Sequence, residues 1–401
     1  MATPDRPQTR PQSPAPQHAL QWWDRLDLDA ARAFVPSPTS SRGADPRLET
    51  VATVFEHATV VPLAGFLLAG SPRTIKLGVR NPGRLRSDWG YYARPELLAD
   101  PDSFFPRPPL PEVLDEKHPE HTLGVPRGTV VTDLSFESRF DPVNPALRDS
   151  YRRDVANRTV HARWWRHPDE LRPTIVCIHG FQAGQHALNT VLFDIPWLFA
   201  AGLDVVQFVL PYHGARAAAV DGWRFLGLDV GRMAEAIAHS VWDVRSVVSH
   251  LLAQGVPSVG VAGVSLGGYL ASLLPGVDDR LDFAVPVSPA VSMADLFFDL
   301  APLSPILPVL LGRVGWGHDD VRRHMAVHTP LQHTPKLPPE RLMVVGAVGD
   351  HITRPYQQRL LWEHWGEPEM FWHTGAHQLH LNRREYRAAL RSFLGRVGAV
   401  A

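Results

Sequence analysis

The feature that most constrains the fold is an alternation of short apolar runs with longer helical patterns from about residue 128 onward. Short β-branched and aromatic runs are typical of strands, and strands that alternate with helices favour a mostly parallel sheet with crossover helices. Several runs are apolar throughout, as expected of strands buried on both faces. The predicted strands are GTVVTDLSFESRF, TVHARWWRH, PTIVCIHG, LDVVQFVLP, SVGVAGVS, LDFAVPVS, RLMVVGAVGD and PEMFWH.

Composition divides the chain into three predicted parts. Residues 1–19 are polar and rich in proline, which predicts a disordered tail without the apolar core of a signal peptide. Residues 20–127 alternate helix-like stretches with proline-rich connections, which predicts a helical N-terminal extension that caps another domain. Residues 128–401 carry the strand pattern and form the predicted α/β domain.

Charge and cysteine content narrow the classes of function. The chain has 401 residues and a formal net charge of −1, which does not favour a nucleic-acid partner. Its single cysteine, Cys177, lies in an apolar run and is interpreted as a buried core residue. One cysteine forms no intrachain disulfide, so we expect a cytoplasmic protein. The most apolar stretch, residues 51–70, is interrupted by Glu56, His57 and Pro62. We therefore expect no transmembrane segment, while peripheral membrane contact stays open.

One motif carries recognisable chemistry. Gly263-Val264-Ser265-Leu266-Gly267 matches G-x-S-x-G and lies between an apolar strand and the helical pattern GYLASLL. Glycines two residues on either side of the serine leave room for a strained turn and for the helix that follows it. The alternative is a serine in an ordinary glycine-rich turn, and the strand and helix around it argue against that alternative.

In this motif the chain resembles the α/β-hydrolase superfamily, over about residues 128–401. The resemblance implies an α/β fold with a mostly parallel central sheet flanked by helices. It also implies a nucleophilic serine after the fifth strand, an acid after a later strand and a histidine after the last. Ser265 is then the nucleophile and Asp350, directly after MVVGAVG, is the acid. Asp295 and Asp299 are the alternative acids.

The stretch FWHTGAHQLHLN holds three histidines where the family keeps its catalytic base. The turn TGAH resembles the usual small-small-His turn, so His377 is the first candidate, followed by His380 and then His373. A zinc site on His373 and His377, four residues apart, is an alternative. Gly375 argues against the helix that this site needs, and the glutamate of H-E-x-x-H is absent from the stretch. We expect neither a metal nor an organic cofactor.

The resemblance also implies backbone donors for an oxyanion hole. The N–H of Leu266, next to the serine, is the first donor. The loop CIHGFQAG follows the third predicted strand and resembles the family's His-Gly loop, so the N–H of Phe181 or Gln182 is the second. His179 is expected to be structural, and His213 and Arg216 are expected to be structural or to line the pocket.

These residues predict a serine hydrolase that cleaves a small-molecule carboxylic ester through an acyl-enzyme. Residues 291–338, approximately, predict a helical lid, and their apolar composition favours an apolar or lipid-like acyl group. Three alternatives stay open: a peptidase or amidase of the same fold, a cofactor-free haloperoxidase-like enzyme and a non-catalytic binding module. The sequence predicts neither the acyl length nor the oligomeric state.

Overall fold

The computed structural model describes most of the chain. The continuous described ranges are 21–40, 81–117, 128–218, 220–300, 303–377 and 379–401. Single described residues between these ranges are Arg47, Thr50, Val51, Val54, Glu56, Leu63, Gly65, Leu67, Lys76, Arg80 and Pro126. The predicted disordered tail and most of the apolar stretch 51–70 lie outside the described residues.

In the described part of the chain, nine strands form one sheet and two short strands form a hairpin. The strands of the sheet are β1 Val113–Lys117, β2 Val130–Glu137, β3 Thr159–Arg166, β4 Thr174–Ile178, β5 Asp204–Phe208, β6 Val259–Val264, β7 Phe283–Val287, β8 Met343–Ala347 and β9 Glu369–His373. The hairpin consists of β10 Gly375–Ala376 and β11 Leu379–His380, which pair antiparallel.

The sheet has the order β1-β2-β3-β5-β4-β6-β7-β8-β9. The pairs β1–β2, β2–β3 and β3–β5 are antiparallel. From β5 to β9 every neighbouring pair is parallel. Parallel neighbours need crossover connections, and helices supply them here. The predicted mostly parallel sheet flanked by helices is therefore confirmed.

Within the continuously described ranges, α-helices lie before, between and after these strands. They are α1 Trp22–Arg25, α2 Leu28–Ala33, α3 Pro82–Gly90, α4 Pro95–Ala99, α5 Pro101–Phe104, α6 Arg148–Tyr151, α7 His186–Leu192, α8 Ile195–Ala200, α9 Val230–Ala253, α10 Leu266–Val277, α11 Met293–Asp299, α12 Leu303–Gly312, α13 His318–Met325, α14 Pro355–His364 and α15 Arg383–Arg396. Helix α9 begins where the carboxylate of Asp229 accepts the N–H of Arg232, and it ends before Gly255, whose φ is 92°.

The core consists of two apolar clusters that divide the side chains of each central strand. In β4, Val176 and Ile178 join the larger cluster, whereas Ile175 and Cys177 join the smaller one. Successive side chains of a strand point to opposite faces, so the clusters lie on the two faces of the sheet. Cys177 is buried, and burial raises the pKa of its thiol, as expected of a core residue.

Strand β1 lies within residues 20–127, where the sequence predicted helices alone. Its sequence, VLDEK, has charged residues at three of its five positions and so lacks the apolar run by which strands were recognised. Charged residues are typical of edge strands, and β1 is the edge of the sheet beside β2. The boundary between extension and domain at residue 128 stays a prediction.

Among the described residues, no single helix is long and apolar enough to cross a membrane. Helices α11 and α12 are together long and apolar enough to cross a membrane, but the chain bends by 113° between them.

Candidate active site

Ser265 lies in the turn between β6 and α10. Its φ of 57° and ψ of −113° fall in a region that residues other than glycine rarely adopt. The backbone is held there from both sides: the N–H of Ser265 donates to the carbonyl of Val287 in β7, and its carbonyl accepts the N–H of Tyr269 in α10. This is the strained strand-to-helix turn that the G-x-S-x-G motif predicts.

The two motif glycines are required by close backbone approaches. A Cβ added to Gly263 would collide with the carbonyl of Gly267, and a Cβ added to Gly267 would collide with the carbonyl of Ile178 at the end of β4. Helix α10 can therefore begin directly against β4 and β6 only if both positions lack a side chain.

Ser265, His377 and Asp350 form one hydrogen-bonded chain. The Oγ of Ser265 lies 2.8 Å from Nε2 of His377, and Nδ1 of His377 lies 2.7 Å from Oδ2 of Asp350. His377 lies in the turn of the β10–β11 hairpin, and Asp350 follows β8. The structure thus brings together the three residues that the sequence selected.

The loop after β8 holds the Asp350 carboxylate in place. Its Oδ1 accepts the N–H groups of Ile352 and Thr353 at 3.0 and 2.7 Å, and its Oδ2 accepts the Thr353 hydroxyl at 2.8 Å. These three donors fix the position and orientation of the carboxylate. The Nδ1–H of His377 then donates to Oδ2, which leaves Nε2 to accept the proton of Ser265.

Two opposing effects act on His377. Burial lowers its pKa, but the charge and hydrogen bond of Asp350, together with the charge of Glu56, more than offset burial, so the pKa is raised above its ordinary value. A base whose protonated form is stabilised in this way is suited to hold a proton during a reaction.

The other two histidines of the cluster have different surroundings. The rings of His373 and His380 contact each other, with centroids 3.5 Å apart. Burial lowers the pKa of His373 to about 4 and that of His380 well below its ordinary value, so both are neutral. Among the described residues, no group of three or more His, Cys, Asp or Glu side chains is arranged to hold a metal ion.

The alternative acids have other partners. Asp295 accepts hydrogen bonds from Arg322 on α13 and from Arg32 on α2. Asp299 accepts the hydroxyl of Tyr356 at 2.5 Å. Of the three acids that the sequence suggested, Asp350 is the one bonded to His377.

The loop after β4 packs against the serine turn. A Cβ added to Gly180 would lie 3.5 Å from Cβ of Ser265, so this loop is the immediate neighbour of the serine. Phe181 and Gln182 follow in the same loop, and Gln182 has a φ of 58°. Leu266 opens α10 on the other side. The roles of these three N–H groups stay predictions.

His179 and Arg216 are bonded within the fold. Nε2 of the buried His179 accepts the N–H of Leu210 at 3.1 Å, which fits the structural role expected of it. Arg216 is buried and pairs with Asp243 on α9 at 2.7 Å. Asp243 also accepts the hydroxyl of Ser138, and His239 lies 2.8 Å from that hydroxyl. The buried guanidinium balances Asp243, so this second Ser–His–Asp group ties α9 to the end of β2.

An apolar cavity of about 320 Å³ reaches His377 and Val264, the residue before the serine. Its wall is formed by residues from β4, β6 and β7, from α7, α8 and α15, from the turn between α7 and α8, and from the β10–β11 hairpin. The lining residues are Ile175, Leu188, Val191, Leu192, Phe193, Asp194, Leu198, Ala262, Val264, Val285, Val287, His377, His380, Arg383, Tyr386, Arg387 and Leu390. The apolar space beside His377 is thus built from the sheet, its flanking helices and the hairpin, and the lid at residues 291–338 stays a prediction.

Glu56 is a residue of the site that sequence analysis missed. It is fully buried and accepts the backbone N–H groups of His351, Ile352 and His377. The sequence offered one signal, a charged residue inside the apolar stretch 51–70. In the sequence, this charge indicates only that the stretch does not form a membrane span.

The fold is similar to that of two solved esterases. One is an acetyl xylan esterase from Paenibacillus sp. R4, with a TM-score of 0.53 and 14% identity over 74% of this chain and 93% of that one. The other is acetyl xylan esterase 1 from Thermoanaerobacterium sp. JW/SL YS485, with a TM-score of 0.53 and 16% identity over 77% of this chain and 93% of that one. The chain therefore has the α/β-hydrolase fold, as the motif predicted.

At the level of sequence, the chain is 33% identical over 324 residues to the uncharacterized proteins Rv2627c and MT2702 of Mycobacterium tuberculosis. The match covers 77% of this chain and 73% of each relative. The chain belongs to one family with these two proteins. No protein-family model matches it.

The close approach of α10 to β4 predicts that Gly267→Ala destabilises the fold. Because the methyl group would meet the Ile178 carbonyl, we expect a loss of at least about 1–3 kcal/mol in the free energy of unfolding. Gly395→Ala is the matched control, because Gly395 lies in helix α15 and a Cβ added there would meet no atom within 4 Å. It should raise stability by up to about 1 kcal/mol. Denaturant unfolding measures both, and equal stabilities would contradict the packing described.

Proposed function

We propose that the protein is a serine hydrolase that cleaves carboxylic esters, with Ser265 as nucleophile, His377 as base and Asp350 as the residue that orients the base. The observation that carries this proposal is the continuous hydrogen-bonded chain from Ser265 Oγ through His377 to Asp350. The fold adds support, since the two solved structures with a similar fold named above are acetyl xylan esterases.

The reaction proceeds in two halves. As Ser265 Oγ attacks the ester carbonyl, its proton passes to Nε2 of His377, and the Asp350 carboxylate stabilises the imidazolium. The oxyanion accepts hydrogen bonds from the N–H of Leu266 and from that of Phe181 or Gln182. His377 then returns the proton to the leaving alcohol, and an acyl-enzyme remains. A water molecule, deprotonated by His377, attacks this acyl-enzyme, and the acid is released as Ser265 regains its proton.

The apolar cavity supports an apolar acyl group as part of the proposal. It reaches both His377 and Val264, so an acyl chain bound at Ser265 has apolar space to enter. Burying a methylene there stabilises binding by about 0.8 kcal/mol. The charged groups Asp194 and Arg387 form an ion pair at 2.5 Å within the lining, which reduces the cost of placing them beside an apolar chain.

Three further expectations from the sequence are part of the same proposal. Helices α11 to α13, within residues 291–338, act as a lid. Residues 20–127 form an extension of the domain that begins at residue 128. The protein works in the cytoplasm on a small-molecule ester.

Replacing Ser265 and Asp350 tests the reaction directly. We expect Ser265→Ala to reduce kcat on a reactive p-nitrophenyl ester by about 10⁶-fold, and Asp350→Asn to reduce it by about 10⁴-fold. Circular dichroism should show that both variants are folded. Full activity in Ser265→Ala would refute the assignment. Cleavage of peptides but not of esters by the wild type would instead establish the peptidase alternative.

The cavity predicts a dependence of activity on acyl length. For a series of short p-nitrophenyl esters, kcat/KM should rise by up to about four-fold per methylene until the cavity is filled. Leu188→Asp should weaken this rise, because Leu188 lines the cavity, is half exposed and accepts a charge without disturbing the core.

Val155→Asp is the matched control, since Val155 is exposed and does not line the cavity. It should retain the wild-type dependence on acyl length. If Leu188→Asp also retained that dependence, the acyl chain would bind elsewhere.

A further inference from the structure

Glu56 comes from the N-terminal extension, yet its carboxylate lies behind the proposed triad. It contacts two loops that carry triad residues, the loop after β8 and the β10–β11 hairpin. We propose that Glu56 is a positioning residue that fixes His377 relative to Asp350, so that the N-terminal extension is an integral part of the active site. This inference rests on the proposed serine hydrolase function.

The geometry shows one carboxylate joining both loops. Oε1 of Glu56 accepts the N–H of His351 at 2.6 Å and the N–H of Ile352 at 2.9 Å. Oε2 accepts the N–H of His377 at 3.2 Å. Hydrogen bonds to an ionised acceptor are stronger than neutral ones, and these lie in a buried site. Glu56 therefore fixes the backbone of the base and of the acid loop at a common point.

The position of this charge argues against a purely structural cap. Burial raises the pKa of Glu56, and the nearby charge of Asp350 raises it further, while the N–H donors and His377 act in the opposite direction. Placing a second carboxylate beside Asp350 in a buried site is unfavourable by itself. A segment that only covered these loops could satisfy their N–H groups with a neutral acceptor, such as an amide or hydroxyl oxygen, without this electrostatic cost.

Glu56 also acts on the charge of His377. The groups that face His377 are Asp350 and Thr353 from the loop after β8, Ser265 from the serine turn, His373 from the end of β9 and Glu56 from the extension. His373 is neutral, so the two carboxylates supply the negative charge. Both favour the imidazolium that forms during attack. Removal of the Glu56 charge should therefore lower the pKa of His377.

The decisive variant is Glu56→Gln. Its amide oxygen can still accept the N–H groups of His351 and Ile352, but its amide nitrogen would face the N–H of His377, so charge and one hydrogen bond are lost. We expect kcat on a p-nitrophenyl ester to fall about ten-fold with KM changed less than two-fold. The acid limb of kcat/KM against pH should move to lower pH, since the base protonates at a lower pH.

Tyr92→Phe is the matched control. Tyr92 is also a buried residue of the N-terminal extension, and its hydroxyl donates to Glu235 on α9 at 2.9 Å. Its loss weakens the attachment of the extension without touching the loops of the triad. This variant should keep the wild-type pH profile. Glu56→Asp, which retains the charge, should keep the acid limb near its wild-type position even if kcat falls.

An NMR titration of protein with labelled histidines measures the pKa of His377 without turnover. The signal of His377 is identified by its absence from the His377→Gln variant. A lower pKa in Glu56→Gln supports the inference even if no ester is cleaved, in which case the proposed function alone fails. An unchanged pKa with wild-type kcat overturns the inference. Equal shifts of the His377 pKa in Glu56→Gln and in Tyr92→Phe also overturn the inference, because they would show a general effect of loosening the extension. If Glu56→Gln does not fold, Glu56→Asp tests the position of the carboxylate, because the shorter side chain reaches the two loops less well: a reduced kcat supports the inference, and a wild-type kcat overturns it.

Discussion

The site depends on the parallel pairing of β4, β6, β7, β8 and β9. Parallel strands end at the same edge of a sheet, so the segments that follow them meet there. Ser265 follows β6, Asp350 follows β8 and His377 follows β9 through one short hairpin strand. Residues 112 positions apart in the chain are thereby held at hydrogen-bond distance. The triad geometry is a consequence of strand direction and register.

Within this sheet, local constraints fix the position of the Ser265 hydroxyl relative to His377. The absence of side chains at Gly263 and Gly267 lets α10 begin against the sheet, and the strained backbone of Ser265 directs its hydroxyl toward His377. The charges are then balanced in a buried setting. Asp350 and Glu56 raise the pKa of His377 against the effect of burial, so the site favours the protonated imidazole that the proposed reaction would create.

The sequence predicted the elements whose signals are local. Eight apolar runs correspond to β2 through β9, and G-x-S-x-G marks the turn at Ser265 because the motif contains all the residues that the turn requires. Asp350 and His377 were selected by their resemblance to the acid and histidine turns of the α/β-hydrolase family, and the structure places them at hydrogen-bond distance from each other. Strand β1 was missed because its charged sequence carries no apolar pattern.

Two features of the site depend on contacts between distant parts of the chain. Glu56 bonds to His351, 295 residues away, and nothing in its neighbourhood in the sequence indicates that partner. The cavity beside His377 is shaped by several strands and helices together, so no single segment predicts it. Composition pointed instead to residues 291–338, because an apolar helical insertion is visible in the sequence and a cavity between elements is not.

The most direct test of the account is the intact mass of the protein after reaction with a fluorophosphonate, which adds covalently to activated serines. The account predicts one adduct on the wild type, located by peptide mapping at Ser265, and no adduct on a folded Ser265→Ala variant. An adduct that persists in Ser265→Ala, or a folded wild type that does not react, would contradict the claim that His377 and Asp350 activate Ser265.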